Sequence, residues 1–218
     1  MNAGRRSAST TWWRPPRASR SSSSSPSAAD PPAAGPPARA PGTVAGRHRG
    51  AHVTDLYDDA PTIDAAHYRR VLGHFVTGVT IITAAEAGEP VGMAANSFTS
   101  VSLDPPLVLF CAAHSSTTWP RIRSAGAYCV NILAEDQEEL CRLFATKGAD
   151  RFAGVGWRPG PSGSPILEGV LAWIDCRIEA AHDAGDHVLV VGRVLAMDAA
   201  PHGKPLVFYR GGYGRFEA

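Results

Sequence analysis

The polar residues with the clearest potential for chemistry lie in one short stretch, Gly92–Pro106 (GMAANSFTSVSLDPP). Small polar side chains stand there between apolar ones, where a strand is expected to bend; they are Asn96, Ser97, Thr99, Ser100 and Ser102. Small hydroxyls beside exposed backbone amides suit a flat ring with a hydrogen-bonding edge, such as a flavin. An ordinary strand with hydroxyls facing the solvent has the same composition, so this stretch alone leaves both interpretations open.

A second group of hydroxyls follows a predicted strand. His114–Ser124 is predicted to be a short helix, with Ser115, Ser116 and Thr117 at its N-terminus. Backbone N–H groups and the helix dipole at such an N-terminus favour an anion, for example a phosphate. Plain N-capping by serine or threonine explains the same residues.

Three further segments carry residue types that suit ligand contact. In the sequence KGADRF, Lys147 and Arg151, with Phe152, could add charge near a phosphate or could simply be exposed. His187 is the last residue of a Gly-Asp-His sequence in a predicted hairpin loop. A histidine in such a loop is more often an exposed residue without a role than a catalytic one. Tyr209–Tyr213 (YRGGY) could bring backbone and an aromatic ring to a ligand, or could form a glycine-rich turn.

Other common catalytic motifs are absent from the sequence. It has no GxGxxG after a strand, no P-loop, no GxSxG and no HExxH. The four cysteines have neither CxxC spacing nor a nearby histidine in a zinc pattern, so no metal site is predicted. Buried free thiols in a reducing cytosol are the simplest interpretation. No apolar run reaches the ~18–20 residues of a membrane span, so we expect a cytoplasmic protein without a membrane partner.

The first quarter of the chain differs in composition from the rest. Residues 1–52 carry eight arginines, no lysine and one acid, a net charge of +7, while the remainder carries −6. Because the segment is rich in Ser, Pro, Ala and Gly, residues 1–55 are predicted to be a disordered tail and residues 56–218 one domain. The acidic domain predicts no nucleic-acid partner; a basic arm that touches nucleic acid or anionic lipid is the alternative for the tail.

The elements that must position the candidate residues are mostly short strands. Helices are predicted at Ile63–Phe75, with Thr62 as N-cap, at His114–Ser124 and at Asp136–Ala145. The predicted strands are Val79–Ala84, Val91–Asn96, Phe98–Leu103, Leu107–Ala113, Tyr128–Leu133, Trp173–Glu179, His187–Met197 and Leu206–Tyr209.

Three local patterns refine these elements. Leu107–Ala113 is apolar throughout, which predicts a strand covered on both faces. Alternation in Trp173–Glu179 predicts that one face, with Cys176, is buried and that the other face, with Asp175, is wet or at an interface. Gly148–Pro165 is rich in Gly and Pro and is predicted to be a loop.

No strand–helix alternation runs along the chain, so a doubly wound parallel sheet is not expected. The fold class predicted is mainly β: an antiparallel, closed or nearly closed barrel with a few peripheral helices.

Six segments, in this order and spacing, carry a resemblance to a known family. They are FVTGVTIIT (Phe75–Thr83), GMAANSFTSVSLDPP (Gly92–Pro106), SSTTWPRI (Ser115–Ile122), VNIL (Val130–Leu133), GDH (Gly185–His187) and YRGGYG (Tyr209–Gly214). From about Tyr68 to Phe216 the chain resembles the flavin reductase-like branch of the FMN-binding split barrels. These are short reductases that serve two-component flavin monooxygenases.

The resemblance implies a homodimeric split β-barrel, antiparallel and Greek-key-like, with the flavin near the subunit interface. It implies flavin contacts for Ala94, Ala95, Asn96, Ser97, Phe98, Thr99, Ser100, Ser102, Ala113, Ser115, Ser116, Thr117, Lys147, Arg151 and Phe152. It places His187, as the catalytic candidate, and Tyr209 to Tyr213 near the nicotinamide. The family often has threonine where this chain has Ala94, which removes one possible hydroxyl contact.

The reaction that the resemblance implies is reduction of FMN or FAD by NADH or NADPH, with transfer of the reduced flavin to a monooxygenase. Such a site stacks two flat rings and needs no nucleophile, which agrees with the shortage of catalytic motifs. Two alternatives stay open: a split-barrel protein that keeps FMN and acts on another substrate, and a non-catalytic flavin-binding module.

Overall fold

The computed structural model describes residues 62–217, so the predicted tail and the boundary near residue 55 lie outside the described residues. The helices in this part are α1 (Ala65–Leu72), α2 (Trp119–Ala125) and α3 (Glu138–Ala145). The strands are β1 (Thr77–Gly78), β2 (Thr80–Glu86), β3 (Glu89–Ala95), β4 (Thr99–Leu103), β5 (Pro106–Ala113), β6 (Ala127–Ile132), β7 (Trp157–Pro159), β8 (Pro165–Leu167), β9 (Ala172–Ala184), β10 (His187–Ala199), β11 (Leu206–Tyr209) and β12 (Gly212–Arg215).

Seven strands form one sheet in the order β3-β2-β6-β9-β10-β5-β4, and every neighbouring pair is antiparallel. Two smaller sheets, β1-β11-β12 and β7-β8, complete the fold. The long strands β9 and β10, 13 residues each, form the hairpin predicted around Gly185. The predicted mainly β, antiparallel fold with few helices is therefore confirmed.

The barrel is open at one place. β3 and β4 lie at opposite edges of the seven-stranded sheet, yet only Asn96–Phe98 connect them. A connection this short spans at most about 15 Å. The sheet must therefore curl until its two edges approach each other, and the split between them coincides with the polar bend identified in the sequence.

Two hydrophobic clusters hold the sheet. The larger draws buried side chains from six of the seven strands and from α2, among them Ile82, Phe110 and Tyr128. The smaller joins the other face of β2 to α3 and β11, with Ile81 and Phe144 at its centre. Because Ile81 and Ile82 are both fully buried, β2 is covered on both faces.

Tyr128 fills the interior of the larger cluster. Its ring meets the edge of Phe110, with the centroids 5.0 Å apart, and burial raises the pKa of its phenol far above the usual value. Its hydroxyl has no nitrogen or oxygen partner among residues 62–217. The space for the hydroxyl exists because Gly192 faces it, and a Cβ at that position would overlap the oxygen.

The first helix differs from its prediction. Asp64, not Thr62, is the N-cap, because its carboxylate accepts a hydrogen bond from the His67 N–H at 2.8 Å. The helix ends at Leu72, before the predicted end at Phe75. No residue of α1 is buried in the described chain, so its apolar stripe stays uncovered there.

The predicted loop Gly148–Pro165 contains β7, which pairs with β8. Asp175 holds the turn between β7 and β8 in place, because its carboxylate accepts hydrogen bonds from Ser162 N–H and Oγ–H, both at 2.6 Å. Asp175 is fully buried within the chain itself, so the prediction that its face is wet or at an interface was wrong for this residue. Two hydrogen bonds offset the cost of removing this carboxylate from water.

One smaller expectation was also wrong. β5 alternates, since Val108, Phe110 and Ala112 are buried whereas Leu107 and Leu109 are half-buried, so the strand is not covered equally on both faces. The glycine-rich C-terminal end is a hairpin: Arg210 and Gly211 form the turn, and β12 follows it and pairs with β11. Glycines have weak strand propensity, and the pairing of β12 with β11 decides its conformation.

Candidate functional site

Strand β3 is the element around which the predicted site residues gather. It leads directly into the bend Asn96–Phe98. Met93 Sδ lies 3.8 Å from Ser116 Oγ in the loop after β5. Gly92 O accepts a hydrogen bond from Arg151 Nη1 at 2.7 Å. β3 therefore connects the bend, the loop after β5 and the segment after α3.

The bend is fastened to β5 through Ser97. Ser97 Oγ donates to Cys111 O at 3.2 Å and accepts from Cys111 N–H at 3.0 Å. Asn96 beside it is exposed and Phe98 is half-buried. One serine of the predicted flavin-binding set thus has its hydroxyl committed to the protein, whereas the Asn96 amide remains accessible.

A cavity of about 280 Å³ lies beside the end of β3. Its lining residues are Val79, Ala94, Ala95, Asn96, Cys141, Phe208 and Tyr213. Most of these side chains are apolar or aromatic, with one amide, which is typical of a site for a flat organic ligand. Val79, Cys141 and Phe208 were not predicted, because nothing in their local sequence marks them and only the fold brings them to β3.

The far wall of this cavity is a contact between α3 and β12. Cys141 Sγ lies 3.2 Å from the Tyr213 hydroxyl, and the Arg142 guanidinium stacks 4.9 Å from the Tyr213 ring centroid. Burial is the main cause that raises the pKa of Tyr213 to about 12, and burial also raises the pKa of the Cys141 thiol. Both groups are therefore neutral near pH 7.

The hydroxyl-rich segment after β5 is a turn, and not the start of a helix as predicted. α2 begins at Trp119, with Thr118 at the N-cap position. Ser116 Oγ supplies the capping, since it accepts from the N–H groups of Thr118 (3.2 Å) and Trp119 (3.1 Å). Ser115 and Thr117 are exposed. The helix-dipole argument for an anion at these residues is lost, while their hydroxyls remain available.

Arg151 directs four hydrogen bonds to protein groups. Nη1 donates to Gly92 O at 2.7 Å and to Thr118 Oγ1 at 2.8 Å. Nε and Nη2 both donate to Thr146 O, at 3.1 and 2.9 Å. Partial burial lowers the pKa of the guanidinium, which remains charged. Arg151 thus holds β3, the loop before α2 and the end of α3 in fixed relation.

The other two predicted residues of KGADRF point to different roles. Lys147 is exposed, so its ammonium is free to meet a solvent-borne anion. The Phe152 ring packs between Phe144 and Trp157, with centroids 5.1 and 6.3 Å away. Phe152 therefore extends the smaller cluster, and it also lines a polar cavity of about 230 Å³ beside Arg151.

His187 is the first residue of β10 and lies opposite Ala113 at the end of β5. His187 Nδ1 is 2.7 Å from Asp186 Oδ1, and this hydrogen bond is the main cause that lowers the pKa of Asp186. A neutral His187 held in this way carries its proton on Nδ1 and leaves Nε2 free. The Asp186 carbonyl also accepts from His114 N–H at 3.0 Å, which ties the hairpin to the hydroxyl-rich loop.

Eight of the eighteen predicted site residues therefore meet at one end of β5: Asn96, Ser97, Phe98, Ala113, Ser115, Ser116, Thr117 and His187. The Ala113–His187 pairing brings the hairpin to Ser115–Thr117, and the Ser97–Cys111 contact brings the bend to the same end of the strand. These segments are far apart in sequence and are joined only by the antiparallel sheet.

Four further predicted residues lie away from this end. Thr99 and Ser100 are exposed on β4, at the edge of the sheet. Ser102 pairs with Leu107 at the opposite end of β5. Tyr209 packs its ring 6.2 Å from His74, below α1.

Two absences hold for residues 62–217. No group of three His, Cys, Asp or Glu side chains there is arranged to hold a metal ion. No helix in the same residues has the length and apolar character needed to cross a membrane.

An open antiparallel barrel with a polar bend at its split and an apolar cavity beside the bend defines a split-barrel ligand-binding protein. Solved structures share the architecture. The nitrilotriacetate monooxygenase component B homologue of Mycobacterium thermoresistibile is similar with a TM-score of 0.68 and 49% identity, over 70% of this chain and 86% of that one. The NADH:FAD oxidoreductase SgcE6 of Streptomyces globisporus C-1027, in complex with NAD and FAD fragments, is similar with a TM-score of 0.68 and 38% identity, over 72% and 98%.

Sequence comparison gives the same answer. The reductase subunit HsaB of a flavin-dependent monooxygenase of Rhodococcus jostii (strain RHA1) is 49% identical over 158 residues, 72% of this chain and 81% of that protein. Residues 72–217 match the flavin reductase like domain. The chain belongs to this family, and the predicted family is confirmed.

The residues present fit a flavin. The cavity beside β3 offers apolar and aromatic walls with an amide at its rim, and the loop offers exposed hydroxyls at Ser115 and Thr117. Ser116 Oγ already accepts two N–H groups. It also donates its proton to Met93 Sδ at 3.8 Å, so the exposed hydroxyls of Ser115 and Thr117 are the ones that suit a phosphate oxygen.

Proposed function

We propose that this protein is an NADH-dependent flavin reductase that supplies reduced flavin to a separate monooxygenase component. The observation that carries the proposal is the meeting of the bend Asn96–Phe98, the loop Ser115–Thr117 and His187 at one end of β5, beside an apolar cavity. The names of the similar proteins, a monooxygenase reductase subunit and an NADH:FAD oxidoreductase, support it. FMN and FAD share the ring and phosphate that these residues suit, and NADPH is the alternative reductant.

A flavin held at this site would supply the hydride acceptor, so the protein has to bind and orient two flat rings. In the proposed site, Asn96 and the backbone of the bend hold the polar edge of the ring. Phe208 and Tyr213 wall its apolar side and exclude water. Ser115–Thr117 and Lys147 hold the phosphate.

We assign His187 to the nicotinamide side of the site. Its imidazole is fixed by Asp186 and placed against the end of β5 by the pairing with Ala113. A fixed, half-buried imidazole with Nε2 free is suited to orient an amide. We expect His187→Asn to lower kcat about tenfold while the affinity for flavin stays within a factor of about two.

A homodimer is part of the proposal. Large apolar side chains stay exposed on β4 (Val101 and Leu103) and on the late part of β10 (Leu195 and Met197), with Leu103 at 72% and Met197 at 68%. Phe75, after α1, is 74% exposed. A second copy of the chain is the partner we propose for these surfaces. Light scattering on a sizing column should give two chains for the parent and one for Leu103→Lys; a monomeric parent contradicts the dimer.

We also propose a cytoplasmic location. All four cysteines, Cys111, Cys129, Cys141 and Cys176, are free thiols. Free thiols are the rule in a reducing compartment, and NADH is available there.

The function is tested by a steady-state assay of the full chain with NADH or NADPH and added FMN or FAD. We expect NADH oxidation that requires free flavin and saturates with it. A protein that binds flavin without reducing it is the binding module. A protein that reduces only one tightly held flavin, and ignores added flavin, acts on another substrate. Either result contradicts the proposal.

A further inference from the structure

We infer that Ser97 is a positioning residue, whose hydroxyl takes the place of a backbone pair between the bend and β5 and so leaves the backbone of the bend free for the flavin. The inference rests on the proposed flavin site. It differs from the direct flavin contact that the family resemblance implies for this serine.

The register of the sheet shows the substitution. β4 and β5 pair as far as Thr99 and Leu109. The same register, continued by two residues, sets Ser97 opposite Cys111. At that point the chain has left β4 for β3, and the pairing of the two strands does not extend to Ser97. The Ser97 side chain instead reaches Cys111 and makes both hydrogen bonds of the missing pair.

Cys111 requires both bonds. Along an antiparallel strand, residues whose N–H and C=O both point to one neighbour alternate with residues that point to the other. The contacts with Ser97 show that both groups of Cys111 point to the side of β4. The residue is half-buried, and unpaired backbone groups away from water are costly. A hydroxyl is donor and acceptor at once, so one serine satisfies both groups.

The consequence concerns the backbone of the bend. A backbone pair would have used the N–H and C=O of Ser97. Within residues 62–217, the backbone hydrogen bonds outside the regular elements include none made by Asn96, Ser97 or Phe98. Asn96 lines the cavity beside β3, and Ser97 and Phe98 follow it directly in the chain. The backbone groups of these three residues remain available for the polar edge of a ring.

The geometry also limits what the Ser97 hydroxyl itself does. Its only proton is donated to Cys111 O, and one of its two lone pairs accepts from Cys111 N–H. It therefore has no donor left for the acceptor atoms of a flavin ring. The side chain acts through Cys111 and through the path of the bend.

The test compares three full-length variants. Ser97→Ala removes the hydroxyl, Ser97→Thr keeps it, and Ile166→Val removes one methylene from a buried position in β8, outside the proposed site. The Ile166 change controls for stability loss alone, since its expected cost is about 1 kcal/mol, similar to that of the lost hydrogen bonds. The readouts are the melting temperature, the dissociation constant for FMN from quenching of its fluorescence, and amide exchange at Cys111.

We expect Ser97→Ala to weaken FMN binding about tenfold and to raise KM for flavin, with kcat at saturating flavin within a factor of about two. Exchange of the Cys111 amide should be at least about tenfold faster. Ser97→Thr should bind FMN as the parent does. Ile166→Val should melt at a lower temperature, as Ser97→Ala does, and should bind FMN normally.

Three outcomes overturn the inference: unchanged FMN binding in Ser97→Ala, an equal loss in Ile166→Val, or unchanged exchange at Cys111. A parent that binds FMN but does not reduce it contradicts the proposed function alone, because the binding and exchange readouts still test Ser97. A parent that binds no flavin overturns both.

Discussion

Two hydroxyl-rich segments meet at the end of β5, and they use serine differently. In the bend, Ser97 binds Cys111, 14 residues away in sequence. In the loop, Ser116 binds the N–H groups of Thr118 and Trp119, two and three residues away. The first bond exists only because the barrel brings β5 to the bend, whereas the second is a local cap. The bend therefore depends on the whole fold, and the loop depends mainly on its own sequence.

Each of the two segments contains both residues that are hydrogen-bonded to the protein and residues that are exposed to a ligand. In each segment one serine is committed to backbone groups. Its neighbours, Asn96 in the bend and Ser115 and Thr117 in the loop, are exposed. Composition alone cannot separate the hydrogen-bonded residues from the exposed ones, because serine occurs in both groups.

The largest effect is expected from breaking the link between the two segments. Arg151→Met removes the bonds to Gly92 O, Thr118 Oγ1 and Thr146 O. We expect a fall in melting temperature of about 5–10 °C and FMN binding weakened by about 10- to 100-fold.

Arg151→Lys is the matched variant, because it keeps the charge and loses the planar fork. We expect its melting temperature and its affinity for FMN to be close to those of Arg151→Met. If lysine restores FMN binding fully, Arg151 acts as a charge near the phosphate, and its hydrogen bonds to Gly92, Thr118 and Thr146 are unimportant for binding.

A smaller effect is expected from removing the local cap. Ser116→Ala should lower the melting temperature by about 2–4 °C, since an N-cap contributes about 1 kcal/mol. FMN binding should weaken about threefold. Ser124→Ala, at an exposed position near the end of α2, is the control. Equal melting temperatures for the two variants would show that Ser116 does not cap the helix.

The free hydroxyls should affect binding without affecting stability. Ser115→Ala with Thr117→Val should leave the melting temperature unchanged and weaken FMN binding by about three- to tenfold. Riboflavin, which lacks the phosphate, serves as the matched ligand, and its affinity should not change. An equal loss of affinity for riboflavin would show that these hydroxyls contact the flavin ring and not the phosphate.

The smallest effect is expected in the pH dependence of stability. The hydrogen bond from His187 lowers the pKa of the Asp186 carboxyl. A carboxyl with a lowered folded pKa adds stability above its unfolded value of about 3.9, and this contribution is lost as the pH falls through the lower folded value. Urea midpoints between about pH 2.5 and 6 should decline less steeply with acid for Asp186→Asn than for the parent. Identical slopes would mean that the contact with His187 contributes nothing in solution.

The sequence predicts the elements well where the pattern is local. Most strands are found within a few residues of their predicted ends, because β-branched runs and Gly or Pro breaks mark them. The hairpin at Gly185 is found as predicted. The family could also be predicted, since six short segments in a fixed order carry it.

Long-range contacts could not be predicted. Asp175 alternates with apolar residues as an exposed side chain does, and only Ser162 from the β7–β8 turn makes its burial tolerable. The cavity wall at Cys141 and Phe208 comes from α3 and β11, whose sequences give no sign of a ligand. The hydrogen bonds between Ser97 and Cys111 depend on where the sheet splits, and no local sequence pattern predicts that position.

The fit between Tyr128 and Gly192 has a consequence for how this barrel can vary. The phenol occupies space that exists only because position 192 lacks a side chain, so the two positions are free to change only together. A side chain at 192 requires a smaller residue at 128, and a chain with alanine at 192 should fold well only if 128 has lost its ring. Phenylalanine at 128 with glycine at 192 is the one-step exception. Because it removes a buried hydroxyl that has no nitrogen or oxygen partner among residues 62–217, it should melt at a higher temperature than the parent.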